Sequence, residues 1–375
     1  MASIYIHIPF CVKKCHYCSF YSIPYDPQSA DRFASALLLE AEGQAGLYSK
    51  RFFDTAFIGG GTPSVFSLSQ FRNVAESMRK LFHFVEGAEF TVEVNPHSGS
   101  GRIFTMMLDG GVNRLSLGVQ SYSDRLLQAL GRPHNAALAR EAFANARESG
   151  FTNIGIDLIY GIPGQSTLDW QKTLEIAIAQ KPQHISCYSL SLDEGSYFAQ
   201  AAAEGCFQLP DDDVVVRQYE LGVNQLADSG YCQYEISNFA LPGFECRHNV
   251  NYWNRGEYLG LGPGASSFVS NRRFQTKADW KTYCARLESG LPLVKEEEQV
   301  GPAEAALETV MLGLRMNKGI ELARFSTTFG EALLNRLLLR ASPMVKTGLM
   351  SFDAGHLSLT NRGMVLSNEA LARLA

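Results

Sequence analysis

The chain has 375 residues and a net charge of −5, with 46% hydrophobic and 19% charged residues. This composition is typical of a folded soluble protein, and the length favours more than one domain. The acidic balance excludes a general attraction to nucleic acid or to an anionic membrane, and no apolar run is long enough to span a bilayer. The start, MASIYIHIPF, does not resemble a signal peptide.

The first two-thirds of the chain alternates strand-like runs with segments of helical spacing, such as 31–45 and 168–180. The strand-like runs are 3–10, 54–60, 89–96, 114–121, 153–161 and 184–192. Six such units in a row predict an α/β fold with a parallel sheet and outer helices. Because six units are too few for a closed eight-stranded barrel, we favour a partial (β/α)6 TIM-like barrel. The periodicity alone does not exclude a flat doubly wound sheet.

Polar or glycine residues collect where each predicted strand ends. They are Cys11, the stretch GGGTPS (59–64), Glu93, Asn95, Gln120, Ser121, Asp157, Ser189 and Ser191. In barrels of parallel strands, ligands bind at the carboxyl end of the strands, so these residues predict one large site. The alternative for Glu93 and Asp157 is that they are buried groups that only satisfy their neighbours.

The composition divides the chain into residues 1–230, the predicted barrel, then 231–300, a connecting segment, and 301–375, a helix-rich C-terminal domain. The last part ends in a strand, a DAG turn, a strand and a helix entered at Thr360, which resembles a winged helix. From residue 301 onward eight Arg and Lys face six Asp and Glu. This balance is a poor footprint for phosphate binding, so we expect a cap packed on the barrel and no nucleic-acid partner.

Cys11, Cys15 and Cys18 follow the first strand with the spacing C-x3-C-x2-C. The other five of the eight cysteines are scattered, which indicates a reducing cytoplasm rather than a disulfide scaffold. A structural zinc site normally has four ligands, and only His16 stands nearby as a fourth. A four-iron cluster fits better, because three cysteines leave one iron open for a small ligand.

This cysteine motif resembles the signature of the radical S-adenosylmethionine superfamily. The resemblance implies that the amino and carboxylate groups of S-adenosylmethionine chelate the open iron of a [4Fe-4S] cluster. One electron from the cluster would then cleave the bound molecule to methionine and a 5′-deoxyadenosyl radical. The glycine stretch is similar to the family's motif for the methionyl amino group, which implicates Gly60, Gly61 and Thr62.

Further contacts to S-adenosylmethionine are implied by position-by-position similarity alone. They are Tyr5, Tyr17, Glu93, Gln120, Arg132 and Asp157. Arg132 lies in the polar stretch LGRPHN, for which a solvated surface loop is an equal alternative.

The stretches YIHIPFCVKKCHYC, GGGTPS, VEVNP, LSLGVQS and IDLIYGIPGQ narrow the resemblance. With the C-terminal module they resemble the oxygen-independent coproporphyrinogen III oxidases and their relatives, the heme chaperones. The oxidases have a fourth cysteine where this chain has Phe20, and a long N-terminal extension where only four residues precede Tyr5. Both differences favour the chaperone branch and leave enzymatic activity uncertain.

The stretch RHNVNYWN resembles the heme-binding motif H-N-x-x-Y-W of the chaperone branch. It implicates His248, Asn249, Tyr252 and Trp253 in heme binding, with Cys246 as a further candidate ligand. A neutral histidine is a good axial ligand for heme iron, and the aromatic rings offer flat apolar surface. The alternative is a surface loop with one satisfied histidine and packed aromatic side chains.

The first functional hypothesis is therefore a cytoplasmic heme chaperone with a [4Fe-4S] cluster, S-adenosylmethionine and heme. It would deliver heme to an acceptor such as a respiratory enzyme, and such a partner would place it at the membrane periphery. The second hypothesis is an oxygen-independent coproporphyrinogen III oxidase, and the third is a zinc-structured binding protein. The sequence leaves open whether the chain forms a homodimer and whether heme is attached covalently.

Overall fold

The computed structural model of the chain describes residues 2–374. The strands are β1 (Ala2–Ile8), β2 (Phe10–Cys11), β3 (Ile23–Pro24), β4 (Phe52–Gly60), β5 (His83–Val94), β6 (Arg114–Gln120), β7 (Ile154–Tyr160), β8 (His184–Ser189), β9 (Cys232–Gln233), β10 (Asn238–Ala240), β11 (Glu257–Leu261), β12 (Ser266–Val269), β13 (Arg272–Thr276), β14 (Lys295–Gln299), β15 (Ile320–Glu321), β16 (Met350–Asp353) and β17 (His356–Leu359).

The helices lie between these strands and after them. They are α1 (Pro27–Leu47), α2 (Leu68–Leu81), α3 (Gly101–Asp109), α4 (Asp124–Ala129), α5 (Ala136–Glu148), α6 (Thr167–Ala179), α7 (Tyr197–Ala203), α8 (Asp212–Asp228), α9 (Arg247–Trp253), α10 (Trp280–Glu288), α11 (Pro302–Gly313), α12 (Leu322–Phe329), α13 (Glu331–Lys346), α14 (Asn361–Val365) and α15 (Ser367–Ala372). Short 3₁₀ turns cover Pro63–Val65 and Pro96–Ser98. Within the described residues, no helix combines the length and apolarity needed to cross a membrane.

The strands predicted from the sequence form one parallel array in the order β1, β4, β5, β6, β7, β8. Their order in the sheet follows their order in the chain, as expected for repeated right-handed βα units. The predicted α/β class with a partial barrel is confirmed. The predicted helices at 31–45 and 168–180 are confirmed by α1 and α6.

Each strand places alternate side chains on opposite faces of the sheet, which explains how one strand serves both the core and the site. In β1, Ile4, Ile6 and Ile8 are fully buried in the hydrophobic core. Between them, Tyr5 and His7 make hydrogen bonds instead. The apolar face anchors the strands beneath the helices, and the other face supplies polar groups to the interior of the barrel.

Residues 231–300, which the sequence analysis treats as a connecting segment, extend both edges of the parallel array. On one side β10 and β9 follow β8 in antiparallel pairing. On the other side β11 pairs parallel with β1, and β12, β13 and β14 continue antiparallel. The same segment carries α9, which contacts β1, β4 and β11.

The C-terminal part has its own hydrophobic core, built from helices α11–α15 and a small sheet in the order β15-β17-β16. The predicted strand–turn–strand is β16 and β17, joined by a turn in which Ala354 and Gly355 have positive φ. Thr360 caps α14, because its side chain accepts a hydrogen bond from the N–H of Gly363 at 3.1 Å. These features confirm the helical, winged-helix-like cap.

Candidate cofactor site

A cavity of about 450 Å³ opens at the carboxyl end of the parallel strands. Its lining includes most of the residues predicted from the sequence, which come from β2, β4, β5, β6, β7, the loops of these strands and, for Asn249, helix α9. They are Cys11, Cys15, Tyr17, Cys18, Gly60, Gly61, Thr62, Glu93, Gln120, Arg132, Asp157 and Asn249. A volume of this size is in the range of sites for small molecules and cofactors.

The three cysteines are free thiols, and each is half-buried at this cavity. Cys11 ends β2, and Cys15 and Cys18 lie in the loop that leads to β3. The hydroxyl of Thr62 donates to the sulfur of Cys11 at 3.6 Å. Burial raises the pKa of the Cys11 and Cys18 thiols, although hydrogen bonds act in the opposite direction. Burial therefore favours the neutral form of the Cys11 and Cys18 thiols, and binding of a metal centre would displace their protons.

The donor set fits a cluster better than a single metal ion. Among residues 2–374, no group of three or more His, Cys, Asp or Glu side chains is arranged to hold one metal ion. His16, the candidate fourth ligand for zinc, directs its Nδ1 atom to the carbonyl of Ala129 at 2.9 Å, and its ring packs on Gly131 and Tyr197. Three thiolates and no fourth protein ligand match a four-iron cluster with one open iron, and Phe20, 61% exposed, offers no donor.

Arg132 lies at the cavity, so the alternative of a solvated surface loop is wrong for this side chain. Its Nη1 atom donates to the sulfur of Cys15 and to the hydroxyl of Tyr17, each at 3.3 Å. Its Nη2 atom donates to the carbonyl of Gly118 at 2.6 Å. The Nε atom is buried without a partner among the described residues. A fixed cation beside the cysteines stabilises the thiolate form that a metal centre needs.

The glycine stretch holds the base of the cysteine loop. Gly60 has φ +103°, and a side chain at this position would collide with the ring of His7. A Cβ atom at Gly61 would lie 2.6 Å from the carbonyl oxygen of Phe10. The N–H of Thr62 donates to that same oxygen at 2.7 Å. The glycines are therefore needed for close packing against the strand that leads into Cys11, in addition to lining the cavity.

Two carboxyl groups face each other across the cavity. Glu93 accepts a hydrogen bond from the N–H of Gly60 at 3.1 Å, and burial together with the nearby Asp157 raises its pKa to about 8. Asp157 accepts hydrogen bonds from the hydroxyls of Ser116 and Ser186 at 2.8 and 2.6 Å, and burial also raises its pKa. Asp157 is thus well satisfied by its neighbours, whereas Glu93 has one donor and room for a cationic partner.

Two residues predicted to contact S-adenosylmethionine, Gln120 and Tyr5, differ in their position relative to the cavity. Gln120 ends β6 with φ +66°, which is rare for a residue with a side chain, and the pairing with β7 shifts register beside it. This conformation keeps Gln120 at the cavity lining. Tyr5 is not part of the lining. Its hydroxyl donates to Nδ1 of His7 at 3.1 Å, and its ring lies behind Phe57, which does line the cavity.

His248 lies at the opposite, amino end of the strands and is only 1% exposed. Its Nδ1 atom is 2.7 Å from the hydroxyl of Thr55, which itself donates to Ser3, so Nδ1 carries the proton. Its Nε2 atom accepts from the hydroxyl of Tyr252 at 2.9 Å. Burial, followed by the charge of Arg114, lowers the pKa of His248 to about 3. The imidazole is neutral, and both ring nitrogens are engaged within the protein.

The rest of the H-N-x-x-Y-W motif belongs to the same short helix and not to a loop, but the satisfied histidine and the packed aromatic rings of that alternative are both found. Asn249 reaches the floor of the cavity, which places one motif residue at the cofactor site. The ring of Trp253 lies 5.0 Å from the guanidinium of Arg315 in the C-terminal part. Cys246 is fully buried, and its thiol donates to Glu89 at 3.6 Å.

The sequence analysis missed the polar floor of the cavity, which includes Arg114 and His184 at the amino ends of β6 and β8. Arg114 is 1% exposed and His184 makes one ring hydrogen bond, from or to the hydroxyl of Tyr234 at 2.8 Å. Both residues precede a serine two positions later, Ser116 and Ser186, that faces the same cavity. Polar side chains at every second position of β6 and β8 are the sequence signal that could have identified Arg114 and His184.

Comparisons with known proteins agree with this geometry. The family model described as "Radical SAM superfamily" matches residues 5–177, and the one described as "HemN C-terminal domain" matches residues 300–366. The solved structure of coproporphyrinogen III oxidase (HemN) from Escherichia coli, a radical SAM enzyme, superimposes with a TM-score of 0.86 at 24% identity, covering 100% of this chain and 89% of that one. At this level of identity the superposition shows a shared fold.

Relatives with higher identity cover nearly the whole chain. "Heme chaperone HemW" of Mycobacterium tuberculosis is 34% identical over 99% of this chain and 94% of its own length. "Heme chaperone HemW" of Bacillus subtilis is 33% identical over 98% of both. "Radical S-adenosyl methionine domain-containing protein 1, mitochondrial" of Bos taurus is 34% identical over 100% of this chain and 85% of its own length.

The barrel, the cysteine loop and the cavity define a protein of the radical S-adenosylmethionine superfamily, for which a [4Fe-4S] cluster and S-adenosylmethionine are the expected cofactors. Within that superfamily, the chain belongs to the HemW family.

Proposed function

We propose that this protein is a heme chaperone, which binds heme and delivers it to acceptor proteins, respiratory enzymes among them. The observation that carries the proposal is the similarity to relatives named heme chaperone HemW, which extends over almost the entire length of both chains. The cavity adds a second support, because it pairs the cysteine trio with Phe20 in the position where the related oxidases have a fourth cysteine.

In this proposal Cys11, Cys15 and Cys18 hold the [4Fe-4S] cluster, and S-adenosylmethionine occupies the rest of the cavity. When bound, the cluster and S-adenosylmethionine supply an iron centre with an exchangeable ligand and a potential source of a radical. The residues of the chain bind and orient: Arg132 compensates the thiolate charge, and Glu93 offers a carboxylate to the sulfonium cation. The proposed contacts are Tyr17, Gly60, Gly61, Thr62, Glu93, Gln120, Arg132 and Asp157, with Tyr5 supporting the cavity wall.

Heme binding is assigned to the motif of α9, with His248 as the axial ligand and Asn249, Tyr252 and Trp253 as neighbours of the porphyrin. The neutral state of His248 suits it to bind iron, since a protonated imidazole has no free electron pair. Because both ring nitrogens of His248 are hydrogen-bonded within the protein, at least one of these bonds must break for His248 to bind heme iron. A change in the position of α9 accompanies heme binding.

An assay with coproporphyrinogen III separates the proposal from the oxidase alternative. The chain is reconstituted with iron and sulfide, supplied with S-adenosylmethionine and a reductant, and incubated anaerobically with coproporphyrinogen III. A chaperone forms neither carbon dioxide nor protoporphyrinogen above the background of a Cys15→Ala variant. Release of carbon dioxide that depends on Cys15 would overturn the proposal in favour of the oxidase.

A further inference from the structure

A buried guanidinium at the floor of the cavity is left unpaired by the side chains of the protein. Arg114 is 1% exposed and lines the cavity. Its Nε atom has no hydrogen-bond partner, and no carboxylate of the described chain forms an ion pair with its guanidinium. Because a guanidinium is always charged in proteins and a buried charge is costly without hydrogen bonds, we expect these donors to serve an acceptor that residues 2–374 do not provide.

Two carboxyl groups lie near enough to act on Arg114 through their charge, yet both are engaged elsewhere. Glu89 accepts two backbone N–H groups of α9 and the thiol of Cys246 on its two oxygens. Asp157 accepts one serine hydroxyl on each of its oxygens, at 2.8 and 2.6 Å. These carboxyl groups therefore balance part of the charge of Arg114 without supplying its hydrogen bonds.

A second unpaired donor, His184, lines the same floor. It is 1% exposed, and its Nε2 atom lies 2.8 Å from the hydroxyl of Tyr234. That hydroxyl already accepts from the N–H of Cys246 at 3.3 Å, so its own proton is donated to Nε2 and the imidazole proton lies on Nδ1. The Nδ1 atom is buried and has no partner among the described residues. Burial, followed by the charge of Arg114, holds the pKa of His184 well below its ordinary value, so the ring is a neutral donor.

Gly155 of β7 keeps the space between these two donors open. It is paired with His184 of the neighbouring strand, and it faces the barrel interior because Ile154 and Ile156 on either side belong to the hydrophobic core. A Cβ atom at Gly155 would lie 3.4 Å from Nδ1 of His184 and 3.5 Å from Nη2 of Arg114. The guanidinium and the imidazole therefore border one gap, which the three residues Arg114, Gly155 and His184 define and which we name the floor site.

We propose that the floor site binds the carboxylate group of a small organic acid. The groups that border it are N–H donors with one fixed positive charge, and an acceptor that carries negative charge is the ligand that compensates them. A carboxylate fits better than a single-atom anion, because its two oxygens can accept from the guanidinium and from the imidazole at the same time. The remaining atoms of the acid point up the barrel, toward Asp157 and the cysteine trio. This inference does not depend on the proposed heme-binding function.

The test is anaerobic isothermal titration calorimetry of the full, cluster-reconstituted chain with sodium acetate, with sodium chloride holding the ionic strength constant. Gly155→Ala places a methyl group between the two donors at ordinary contact distances, so it blocks the floor site without straining β7. Gly46→Ala, on an exposed part of α1 where an added Cβ has nothing within 4 Å, is the matched control. We expect Gly155→Ala to bind acetate at least about tenfold more weakly than the parent, and Gly46→Ala to match the parent.

Equal affinity in the parent and Gly155→Ala, as acetate bound to iron or to Arg132 would give, would overturn the proposal. Absence of measurable acetate binding to the parent over the chloride background would overturn it as well.

Two further readouts do not depend on the folding of Gly155→Ala. Arg114→Lys keeps the positive charge but loses the planar fork, so it should bind acetate at least about threefold more weakly, and unchanged affinity would contradict the role of Arg114. In the parent, saturating acetate should raise the melting temperature above that in chloride of equal ionic strength, because a ligand that binds only the folded state stabilises it. Equal melting temperatures in the two salts would contradict the floor site.

The carboxylate can belong to a free acid or to a propionate side chain of a porphyrin, and a hemin titration separates these two sources. We expect a free acid, so saturating acetate and the Gly155→Ala substitution should both leave hemin affinity unchanged. Weaker hemin binding under both conditions would assign the floor site to a porphyrin propionate instead. Absence of saturable hemin binding in every variant would overturn the chaperone proposal, and acetate binding that depends on Gly155 would still support the floor site.

Discussion

The guanidinium of Arg132 lies 3.3 Å from the sulfur of Cys15, although the two residues are 117 positions apart in the chain. The same nitrogen is shared with the hydroxyl of Tyr17. This contact joins the cysteine loop to the loop after α4, so the position of the cysteine loop depends on the packing of β6 and α4 against the start of the barrel. It also places a permanent positive charge where thiolates must form.

Replacing Arg132 by Met should weaken retention of the cluster. The variant loses hydrogen bonds to Cys15 and Tyr17 and leaves the carbonyl of Gly118 without its donor. Because a hydrogen bond to a charged group contributes about 1.5–3 kcal/mol, we expect the half-life of the cluster in air to fall at least about tenfold. The measurement is the decay of the visible absorbance of reconstituted protein. An Arg336→Met control should behave as the parent. A decay in Arg132→Met as slow as in the parent would contradict a role of Arg132 in retaining the cluster.

Cluster assembly should depend on the cysteine trio and on no exposed thiol elsewhere. Cys15→Ala removes one of three ligands and should lower bound iron from about four per chain to less than about one. Cys206, which is exposed and outside the cavity lining, provides the matched control. Iron analysis after anaerobic reconstitution checks both. A Cys206→Ala variant that loses iron to the same extent as Cys15→Ala would contradict the assignment of the cluster to the cysteine trio.

The affinity for S-adenosylmethionine should rise with pH through the titration of Glu93. The pKa of this carboxyl is raised to about 8, so below that pH the group is mostly protonated and neutral. A bound sulfonium favours the ionised form, so binding releases a proton and the affinity increases up to about tenfold per pH unit between pH 6 and 8. Above the pKa the dependence levels off.

Equilibrium binding of S-adenosylmethionine to reconstituted protein at several pH values measures this dependence. In Glu93→Gln the side chain cannot ionise, so the affinity should be low and nearly flat over the same range. Glu86→Gln, at an exposed position of the same strand, should retain the slope of the parent. A parent affinity that stays constant or falls between pH 6 and 8 would contradict the pairing of Glu93 with the cation.

Glu89 should set the local stability of α9. It accepts two backbone N–H groups and the thiol of Cys246, and the bonds from His248 and Cys246 are fully buried, so Glu89→Ala leaves these donors without a partner. Since each buried unpaired donor costs about 1–3 kcal/mol, the free energy of local opening should fall by about 3 kcal/mol. Hydrogen exchange at the amides of Arg247 and His248 should then be about two orders of magnitude faster. Glu86→Ala is the control. Equal protection of the two amides in Glu89→Ala and Glu86→Ala would contradict the role of Glu89 in stabilising α9.

The elements that the sequence predicted are those with a repeated pattern. The parallel strands read as apolar runs, α1 and α6 as helical spacing, and Thr360 as a helix start, and all are found in the structure. The cysteine spacing and the glycine stretch were readable for the same reason, since each is a short local pattern. Residues brought to the cavity by successive strands could be grouped because the carboxyl ends of parallel strands share one edge.

The features that the sequence could not predict, the added edge strands and the burial of α9, depend on contacts between distant segments. The strands β9 to β14 are short, with β9 only two residues long, and their pairing with β8 and β1 carries no local signal. His248 was predicted as a ligand candidate for heme, and nothing in the sequence indicated its burial against Thr55, which lies 193 positions away. A motif shows which side chains are grouped along a helix, but burial of that helix is decided by the surface against which it packs.

The measurement that tests the account most directly is an anaerobic titration of reconstituted protein with hemin, comparing the parent with His248→Ala and with His83→Ala, an exposed histidine on β5. The account predicts saturation near about one heme per chain for the parent and for His83→Ala, and at least about tenfold weaker binding for His248→Ala, as expected for loss of an axial ligand. Weak, non-saturating binding that is the same in all three proteins would contradict it.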